Sequence, residues 1–395
     1  MRLVFLLFLV PFCSAAVLQL PTKSTGSLRA KLIQAGKYQE FLASQHAARL
    51  QQLNTGSQPL IDYYDDMYLA NITVGTPPQP ASVVLDTASA NLWVIDAACN
   101  SQACNGNPGS GYTKQKFNPN KSSTFVKGTR RFSIQYGSGT SSGYLGTDVL
   151  QLGGLTVKAQ EFGVATNLGS VLGSEPMDGI FGLGWPAISV DQVTPPMQNL
   201  ISQKQLDAPL FSIWVDRKLQ VSQGGTGGLI TYGAVDTKNC DAQVNYVALS
   251  SKTYWQFPMD GVAIGNYAMM KQEQAISDTG SAWLGLPNPV LNAIVQQTKA
   301  TYDWNYEIYT LDCSTMQTQP DLVFTIGGMQ YPVKSIEYIL DLGLGNGRCV
   351  LAMLSYSNTG FGPSYVLGHV FIRQFCNVYD IGNARIGFAN AHHSF

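Results

Sequence analysis

Hydrophobic and polar residues alternate in short runs along most of the chain after Tyr63. Runs such as YLANITVG, PASVVLD, RFSIQYGSG, LTVKAQEFGVA and FSIWVD are rich in Val, Ile, Thr and aromatic residues. Clusters of Gly, Pro, Asn and Ser separate the runs at intervals of about 8–12 residues, as turns separate strands. Helical patterns are few, and they lie near 195–204 and 287–300. The pattern therefore predicts a mostly β protein with minor helices.

Residues 17–60 follow a different pattern, in which Leu28, Leu32, Phe41 and Leu42 recur at helical spacing. From residue 17 to 54 there are five basic residues and one acidic residue, whereas the chain beyond carries 18 bases and 24 acids. A basic segment ahead of an acidic body is typical of a detachable, charge-complementary cover, so we predict a propeptide over 17–60. The alternative is an ordinary N-terminal helical arm, which the charge difference disfavours.

An internal repeat divides the rest of the chain. SVVLDTASANLWV at 82–94 matches QAISDTGSAWLGL at 274–286, and each copy is followed by an apolar-apolar-Gly stretch, GIFGLG at 179–184 and YVLGHV at 365–370. A repeat of domain size predicts two related lobes. We assign residues 61–238 to an N-terminal lobe and 239–395 to a C-terminal lobe, with the junction in GAVDTKNC.

The first 16 residues have the pattern of a cleavable signal peptide: a basic Arg2, an apolar run over 3–12 and small residues at 14–16. The alternative, a membrane anchor, requires a longer apolar run, and no later stretch is long enough to span a bilayer. We therefore expect a product of the secretory pathway, either secreted (for example into a gut lumen) or lysosomal. The low charge content and the net charge of −1 give no reason to expect a nucleic-acid partner.

Six cysteines remain once the signal peptide is removed with Cys13, and an even number in an oxidising compartment predicts three disulfides. Many pairings are open, although Cys99 and Cys104 are close enough to close a small loop. CNSQAC is a poor zinc motif because no further Cys pair or His accompanies it, and we predict no metal or other cofactor. With a signal peptide, NIT at Asn71 and NKS at Asn120 predict N-glycosylation.

The repeated DT-small-S motif places one acid in each predicted lobe, Asp86 and Asp278. If the lobes pack face to face, these two acids meet beside the dyad axis. Two adjacent carboxyl groups share one proton and titrate as a unit. The ionised member can take a proton from water while the protonated member gives one to a carbonyl oxygen, which allows amide hydrolysis without a metal or a covalent intermediate. Residues beside the acids supply hydrogen-bond donors: Thr87, Ser89, Thr279, Gly280 and Ser281.

These motifs, with VGTPPQ, IQYGSGTSSGYLG, MDGIFGLGW, VLGHVFIRQFCNVYD and RIGFA, resemble those of pepsin-family aspartic protease zymogens, in particular the cathepsin D-like enzymes of nematode gut. The resemblance runs from the signal to the last residues. It implies two β-rich lobes related by pseudo-twofold symmetry, with a substrate cleft between them. It further implies an endopeptidase that acts on proteins or peptides in acid, as a monomer, and is inhibited by its own propeptide.

The resemblance also implies roles for residues outside the two acid motifs. Tyr136 and Gly137 match a flap that closes over substrate, and Trp93 matches the hydrogen-bonding partner of the flap tyrosine. Positions that line the pocket before the scissile bond, or belong to ordinary core, are Val84, Met177 and Ile180. The implied disulfides are Cys99–Cys104 and Cys313–Cys349, which leaves Cys240 and Cys376 as the third pair.

The sequence departs from that family at three places. Ala88 replaces the glycine of the first motif, which would be costly if the position needs a positive φ. His369 stands where aspartate is usual, and a charged imidazole there would lower the pKa of the dyad, whereas a neutral one bonded to backbone would not. In the propeptide, the position of the usual inhibitory lysine falls near Gln52, and Arg49 is the nearest base.

Two other functions fit parts of the sequence. A pepsin-like, peptide-binding glycoprotein with weak or no catalysis would keep the cleft, and Ala88 favours it weakly. A structural β glycoprotein or lectin would explain the signal, the cysteines and the sequons. The second alternative gives no reason for two acids at equivalent places in a repeat, so we favour the endopeptidase.

Overall fold

The structure, a computed structural model, describes residues 17–45, 67–136, 139–217, 225–356 and 362–393. The predicted signal peptide, the end of the predicted propeptide and Gly137 lie outside these residues. Strands predominate in the described chain, which confirms the prediction of a mostly β protein. No helix among the described residues is long and apolar enough to cross a membrane.

The first eleven strands belong to one large sheet. They are β1 (Leu18–Ser24), β2 (Tyr68–Val74), β3 (Gln79–Asp86), β4 (Leu92–Ile95), β5 (Val126–Tyr136), β6 (Gly139–Leu152), β7 (Leu155–Leu168), β8 (Gly179–Gly182), β9 (Leu210–Val215), β10 (Gly225–Tyr232) and β11 (Asn245–Ala248).

The next fourteen strands form three smaller sheets of six, four and four strands. They are β12 (Ser251–Lys252), β13 (Trp255–Met259), β14 (Gly261–Ile264), β15 (Tyr267–Met269), β16 (Glu273–Ser277), β17 (Leu284–Leu286), β18 (Thr301–Asp303), β19 (Ile308–Asp312), β20 (Leu322–Ile326), β21 (Met329–Val333), β22 (Ile339–Leu340), β23 (Arg348–Leu351), β24 (Met353–Ser355) and β25 (Tyr365–Leu367). The last two strands, β26 (Phe375–Asp380) and β27 (Arg385–Asn390), return to the large sheet.

The large sheet joins the two halves of the chain. Its strand order is β11-β27-β26-β9-β10-β1-β2-β3-β8-β4-β7-β6-β5. Strand β26 pairs with β9, so the C-terminal strands lie beside strands of the N-terminal half. Strand β1, from the predicted propeptide, lies between β10 and β2. The proposed lobe boundary near residue 238 therefore separates the two copies of the sequence repeat, whereas the large sheet contains strands from both sides of that boundary.

The sequence repeat is also visible in strand pairing. Strand β3 pairs in parallel with β8, and β8 pairs antiparallel with β4. In the second half, β16 pairs in parallel with β25, and β25 pairs antiparallel with β17. In each half, the strand that leads to the aspartate therefore lies beside the apolar-apolar-Gly strand. The largest cluster of buried apolar side chains includes residues of both halves.

Helices are short. They are α1 (Leu28–Gln34), α2 (Gln102–Asn105), α3 (Ser170–Ser174), α4 (Pro196–Ser202), α5 (Asn288–Thr298), α6 (Ser335–Tyr338) and α7 (His369–Gln374), and residues 38–45 are also helical. Both predicted helical segments of the body are confirmed as α4 and α5. Helix α4 begins at Pro196 and α5 has Pro289 as its second residue, so each proline lies in the first turn, where the missing N–H costs no hydrogen bond.

Three disulfides are present, Cys99–Cys104, Cys240–Cys376 and Cys313–Cys349. The second joins residues 136 positions apart, so it constrains the unfolded chain most, by about 4–5 kcal/mol on loop entropy alone. The asparagines of both sequons, Asn71 and Asn120, have exposed side chains. Glycosylation at these two residues stays a prediction.

Candidate active site

The two acids lie where a buried strand ends beside its apolar-apolar-Gly neighbour. Asp86 is the last residue of β3 and lies opposite Gly182 of β8. Asp278 follows β16, whose last residue, Ser277, lies opposite Leu367 of β25. The Asp86 and Asp278 residues are 1% and 3% exposed. The apolar residues before each acid form the buried strand, and the small polar residues after it allow the chain to turn back.

Reciprocal hydrogen bonds join the two motifs. The N–H of Thr87 donates to Oγ1 of Thr279 over 3.0 Å, and the N–H of Thr279 donates to Oγ1 of Thr87 over 3.0 Å. Oγ1 of Thr87 donates to the carbonyl of Ser277 over 2.8 Å, and Oγ1 of Thr279 donates to the carbonyl of Leu85 over 2.7 Å. This set of bonds has twofold symmetry, and it fixes the two acid-bearing loops against each other.

Each carboxyl group accepts the same two hydrogen bonds from its own loop. Oδ1 of Asp86 accepts from the N–H of Ala88 over 2.9 Å, and Oδ2 accepts from the hydroxyl of Ser89. Oδ1 of Asp278 accepts from the N–H of Gly280 over 2.8 Å, and Oδ2 accepts from the hydroxyl of Ser281 over 2.6 Å. These donors fix the orientation of both carboxyl groups.

Burial dominates the electrostatics of the pair. It raises the pKa of Asp86 above that of a free Asp, although the hydrogen bonds from Ser89 and Ala88 act in the opposite direction. Burial also raises the pKa of Asp278, and the negative charge of Asp86 raises it further. The pair therefore retains a proton at pH values where an exposed Asp is ionised. One acid that holds a proton and one that is ionised can serve as general acid and general base.

Ala88 fits its loop without backbone strain. The residue is buried, and it is not among the described residues with positive φ. Its N–H makes the same bond as that of Gly280 in the other loop. The effect of the Ala88 methyl group is therefore steric, on the space around the two acids, and does not involve the backbone conformation.

The predicted flap tyrosine lies at the tip of a hairpin. Tyr136 ends β5, pairs with Gly139 of β6 and is 1% exposed. Nε1 of Trp93 donates to the hydroxyl of Tyr136 over 2.9 Å. The three candidate pocket residues, Val84, Met177 and Ile180, are buried in the same apolar cluster as these two aromatic residues. In this form of the chain they are core residues beneath the hairpin.

His369 begins α7 and is buried. Its ring meets the ring of Tyr68 edge-on, with centroids 4.4 Å apart. The backbone N–H of His369 donates to the carbonyl of Ser281 over 2.9 Å. The groups that act on the pKa of Asp278 are Asp86, the Ser281 hydroxyl, and the backbone N–H groups of Gly280 and Ser281, besides burial. The direct effect of His369 on the dyad stays a hypothesis.

A polar network behind the second acid was missed in the sequence. The Ser277 hydroxyl donates to Oδ1 of Asn377 over 2.7 Å and lies 2.8 Å from the hydroxyl of Tyr379. The Tyr379 side chain also reaches Thr87 of the first loop. The available signal was FCNVYD, in which Asn377 and Tyr379 occupy alternate positions of the strand and therefore face the same side.

The group with metal-ligand spacing among the described residues is Cys313, Asp341 and Cys349, away from the two aspartates in sequence. Its two sulfur atoms already form a disulfide. The disulfide therefore explains why the two cysteines lie close together, and neither sulfur is a free thiolate that could bind a metal.

Comparison with known proteins identifies the family. The family model for eukaryotic aspartyl protease matches residues 67–391. Aspartic protease 1 of Caenorhabditis elegans is 69% identical over 393 residues, which covers 100% of this chain and 99% of that protein. Aspartic protease 17 of the same organism is 66% identical over 396 residues, with 100% of both chains covered. Human gastricsin is 35% identical over 400 residues, with 98% and 99% covered. The chain belongs to the eukaryotic aspartyl protease family and is an aspartic endopeptidase with the pepsin-like two-lobed fold.

Proposed function

We propose that the chain is the zymogen of an acid endopeptidase that hydrolyses proteins or peptides with Asp86, Asp278 and one water molecule. The reciprocal hydrogen bonds of Thr87 and Thr279, which hold two buried carboxyl groups in matching loops, carry this proposal. Two carboxyl groups so placed share a proton over a wide pH range. The pair can then donate and accept protons in the same catalytic cycle.

The reaction needs only proton transfers between the dyad, water and the amide. The ionised acid takes a proton from water as the water oxygen bonds to the carbonyl carbon, and the protonated acid gives its proton to the carbonyl oxygen. In the second step the protonated acid of the dyad gives its proton to the amide nitrogen, the ionised acid takes one from a hydroxyl of the tetrahedral intermediate, and the C–N bond breaks. The products are a carboxylic acid and an amine, and the dyad again holds one proton.

The hairpin that ends in Tyr136 is proposed as the flap over the bound peptide. The hydroxyl of Tyr136 accepts a hydrogen bond from Trp93, which favours a defined position for the tyrosine ring. Val84, Met177 and Ile180 belong to the same apolar cluster, so opening of the hairpin would expose apolar surface. We infer a preference for bulky apolar or aromatic side chains before the scissile bond.

The propeptide is proposed as an intramolecular inhibitor, and its contacts with both lobes support this. Leu28, Phe41 and Leu42 of the propeptide share an apolar cluster with Val171 of α3 and Tyr306, which follows β18. These are the residues whose helical spacing is visible in the sequence. We propose that a segment packed on both lobes in this way obstructs the cleft between them.

Basic side chains add to this attachment. The guanidinium of Arg29 is mostly buried and lies 3.8 Å from the ring centroid of Trp283, five residues after Asp278. Nζ of Lys31 contacts the Tyr112 hydroxyl over 3.1 Å. Acid that protonates carboxylates on the body would weaken the attraction for this basic segment, so we propose release at low pH. We also propose that release occurs after entry to the secretory pathway, in a gut lumen or a lysosome.

The test is acid proteolysis of denatured globin by purified full-length protein. The wild type is incubated in acid beside Asp86→Asn and Asp278→Asn, with and without a statine-type inhibitor. We expect fragments from the wild type only, and complete block by the inhibitor. Sequencing of the new N-terminus reports whether the propeptide has been removed beyond residue 45.

Three results would reject the proposal or a part of it. Cleavage that survives in either Asn variant would exclude the dyad. Inhibitor binding without any cleavage by the wild type would favour the peptide-binding glycoprotein instead. Equal activity at neutral and acidic pH would reject the acid-activated zymogen while leaving the dyad in place.

A further inference from the structure

The two acid-bearing loops differ at one position that contacts the carboxyl groups. Their hydrogen bonds match pair by pair, including the N–H bonds from Ala88 and Gly280 to Oδ1 of the adjacent acid. Neither residue has a positive φ. Neither loop needs a left-handed residue at this position, and the methyl group of Ala88 is the asymmetric feature.

The space around Gly280 indicates where that methyl group lies. A Cβ built on Gly280 would lie 2.8 Å from Oδ1 of Asp86 and 3.2 Å from Oδ1 of Asp278. The first distance is shorter than a carbon side chain tolerates, so glycine is required there unless the acid moves. By the twofold relation of the loops, the Cβ of Ala88 is expected beside Oδ1 of Asp278.

We propose that Ala88 is a positioning residue whose methyl group covers the carboxyl group of Asp278, excludes water from it and holds the shared proton there. This inference rests on the proposed function of the dyad. Gly280, at the equivalent place beside Asp86, has no methyl group, so no corresponding cover contacts that acid. Asp86 then takes the proton from the attacking water, and Asp278 gives its proton to the carbonyl oxygen.

The consequence is a shift in the pH range of activity. Covering a carboxyl group with a methyl group disfavours its charged form, so the dyad loses its last proton at a higher pH. The enzyme should therefore stay active further toward neutral pH than it would with glycine at position 88. A merely structural role of the methyl group would change activity equally at every pH.

Other titratable groups around Asp278 do not account for this asymmetry. Asp86 faces it from β3 and is the partner in the dyad. Tyr356 and Tyr379 also interact with it, and burial raises the pKa of Tyr356 to about 12 and that of Tyr379 above its ordinary value. Both tyrosines are therefore neutral in acid. His369 of α7 packs on Tyr68, and a charge on it would move the pH limit in the opposite direction.

The experiment compares Ala88→Gly with Ala81→Gly, a buried alanine in β3, the strand that leads to Asp86. Both variants carry the backbone cost of glycine, so they separate stability from chemistry. The measurements are kcat/KM on a soluble peptide and the affinity for a statine-type inhibitor, from about pH 2 to about pH 7. Inhibitor affinity reports the protonation of the dyad without turnover.

We expect the alkaline limit of Ala88→Gly to move to lower pH by about 0.5–1 unit in both measurements, while Ala81→Gly keeps the wild-type limit. Ala88→Ser, which keeps the bulk but brings a hydroxyl donor, should also move the limit to lower pH. Identical limits in wild type and Ala88→Gly would overturn the proposal. If the wild type binds the inhibitor but cleaves nothing, the proposed function fails, and the inhibitor titration alone decides the role of Ala88.

Discussion

The hydroxyl groups that join the two acid-bearing loops offer the sharpest test of the site. Thr279→Val replaces the hydroxyl by a methyl group of similar size. It removes the acceptor for the N–H of Thr87 at 3.0 Å and the donor to the carbonyl of Leu85 at 2.7 Å. Both backbone groups are left in a buried region, since Thr87 and Leu85 are 0% and 3% exposed.

The cost follows from these two bonds. A buried polar group that loses its partner costs about 1–3 kcal/mol, so two such groups predict a loss of about 2–6 kcal/mol in the free energy of unfolding. The same change should lower kcat by about 100-fold, because a displacement of about 1 Å between catalytic groups has that effect. Thr87→Val should behave alike, and the double variant should cost less than the sum, since both substitutions disrupt one shared network.

The assays are urea unfolding of the full-length protein at neutral pH and peptide cleavage after acid treatment. Thr166→Val, on the exposed side of β7, is the matched control and should stay within about 0.5 kcal/mol of the wild type. A loss below that value in Thr279→Val, with unchanged kcat, would refute the role assigned to these bonds. Strict additivity in the double variant would refute their interdependence.

Further predictions concern the flap, the glycine and the pH dependence of stability. Trp93→Phe removes the donor to Tyr136 and should lower kcat/KM about tenfold, whereas Trp304→Phe, 84% exposed, should not change it. Gly280→Ala adds a carbon 2.8 Å from Oδ1 of Asp86 and should lower kcat about 100-fold. Burial raises the pKa of Asp278, so the folded protein keeps a proton that the unfolded chain has released, and stability falls as pH rises from about 4 toward the raised pKa. Asp278→Asn should flatten that fall, which urea unfolding at about pH 4 and about pH 7 would detect; an unchanged slope would contradict the assignment.

The repeat explains why much of the site could be predicted from sequence. Each copy has apolar residues that form a buried strand, an acid at its end, and small polar residues that turn the chain. The strand pairs β3–β8 and β16–β25 follow from the two apolar-apolar-Gly stretches. The local sequence thus carries both the strand and the position of the acid within it.

Long-range pairing could not be predicted in the same way. Residues Leu18–Ser24 form β1 because they pair with β10, some two hundred residues later in the chain. The segment LQLPTKS contains a proline and lacks a clear alternation, so its own sequence does not favour a strand. The helical residues after it were recognised, because their apolar spacing is local.

The polar network behind Asp278 was also beyond local reasoning. Ser277 lies about one hundred residues before Asn377 and Tyr379, and each of the three is an ordinary strand residue by itself. Their proximity depends on how β26 crosses behind the second acid loop. The steric position of the Ala88 methyl group likewise required the geometry of the opposite loop.

The central claim is that water held by Asp86 and Asp278 attacks the peptide bond directly. A single turnover in oxygen-18 water, with enzyme in excess over one peptide, tests it most directly. Direct attack predicts that the first carboxyl product carries the heavy oxygen and that both aspartates stay unlabelled. An unlabelled first product, with the heavy oxygen found in the enzyme peptide that contains either aspartate, would mean that a carboxylate attacks the substrate and would contradict the account.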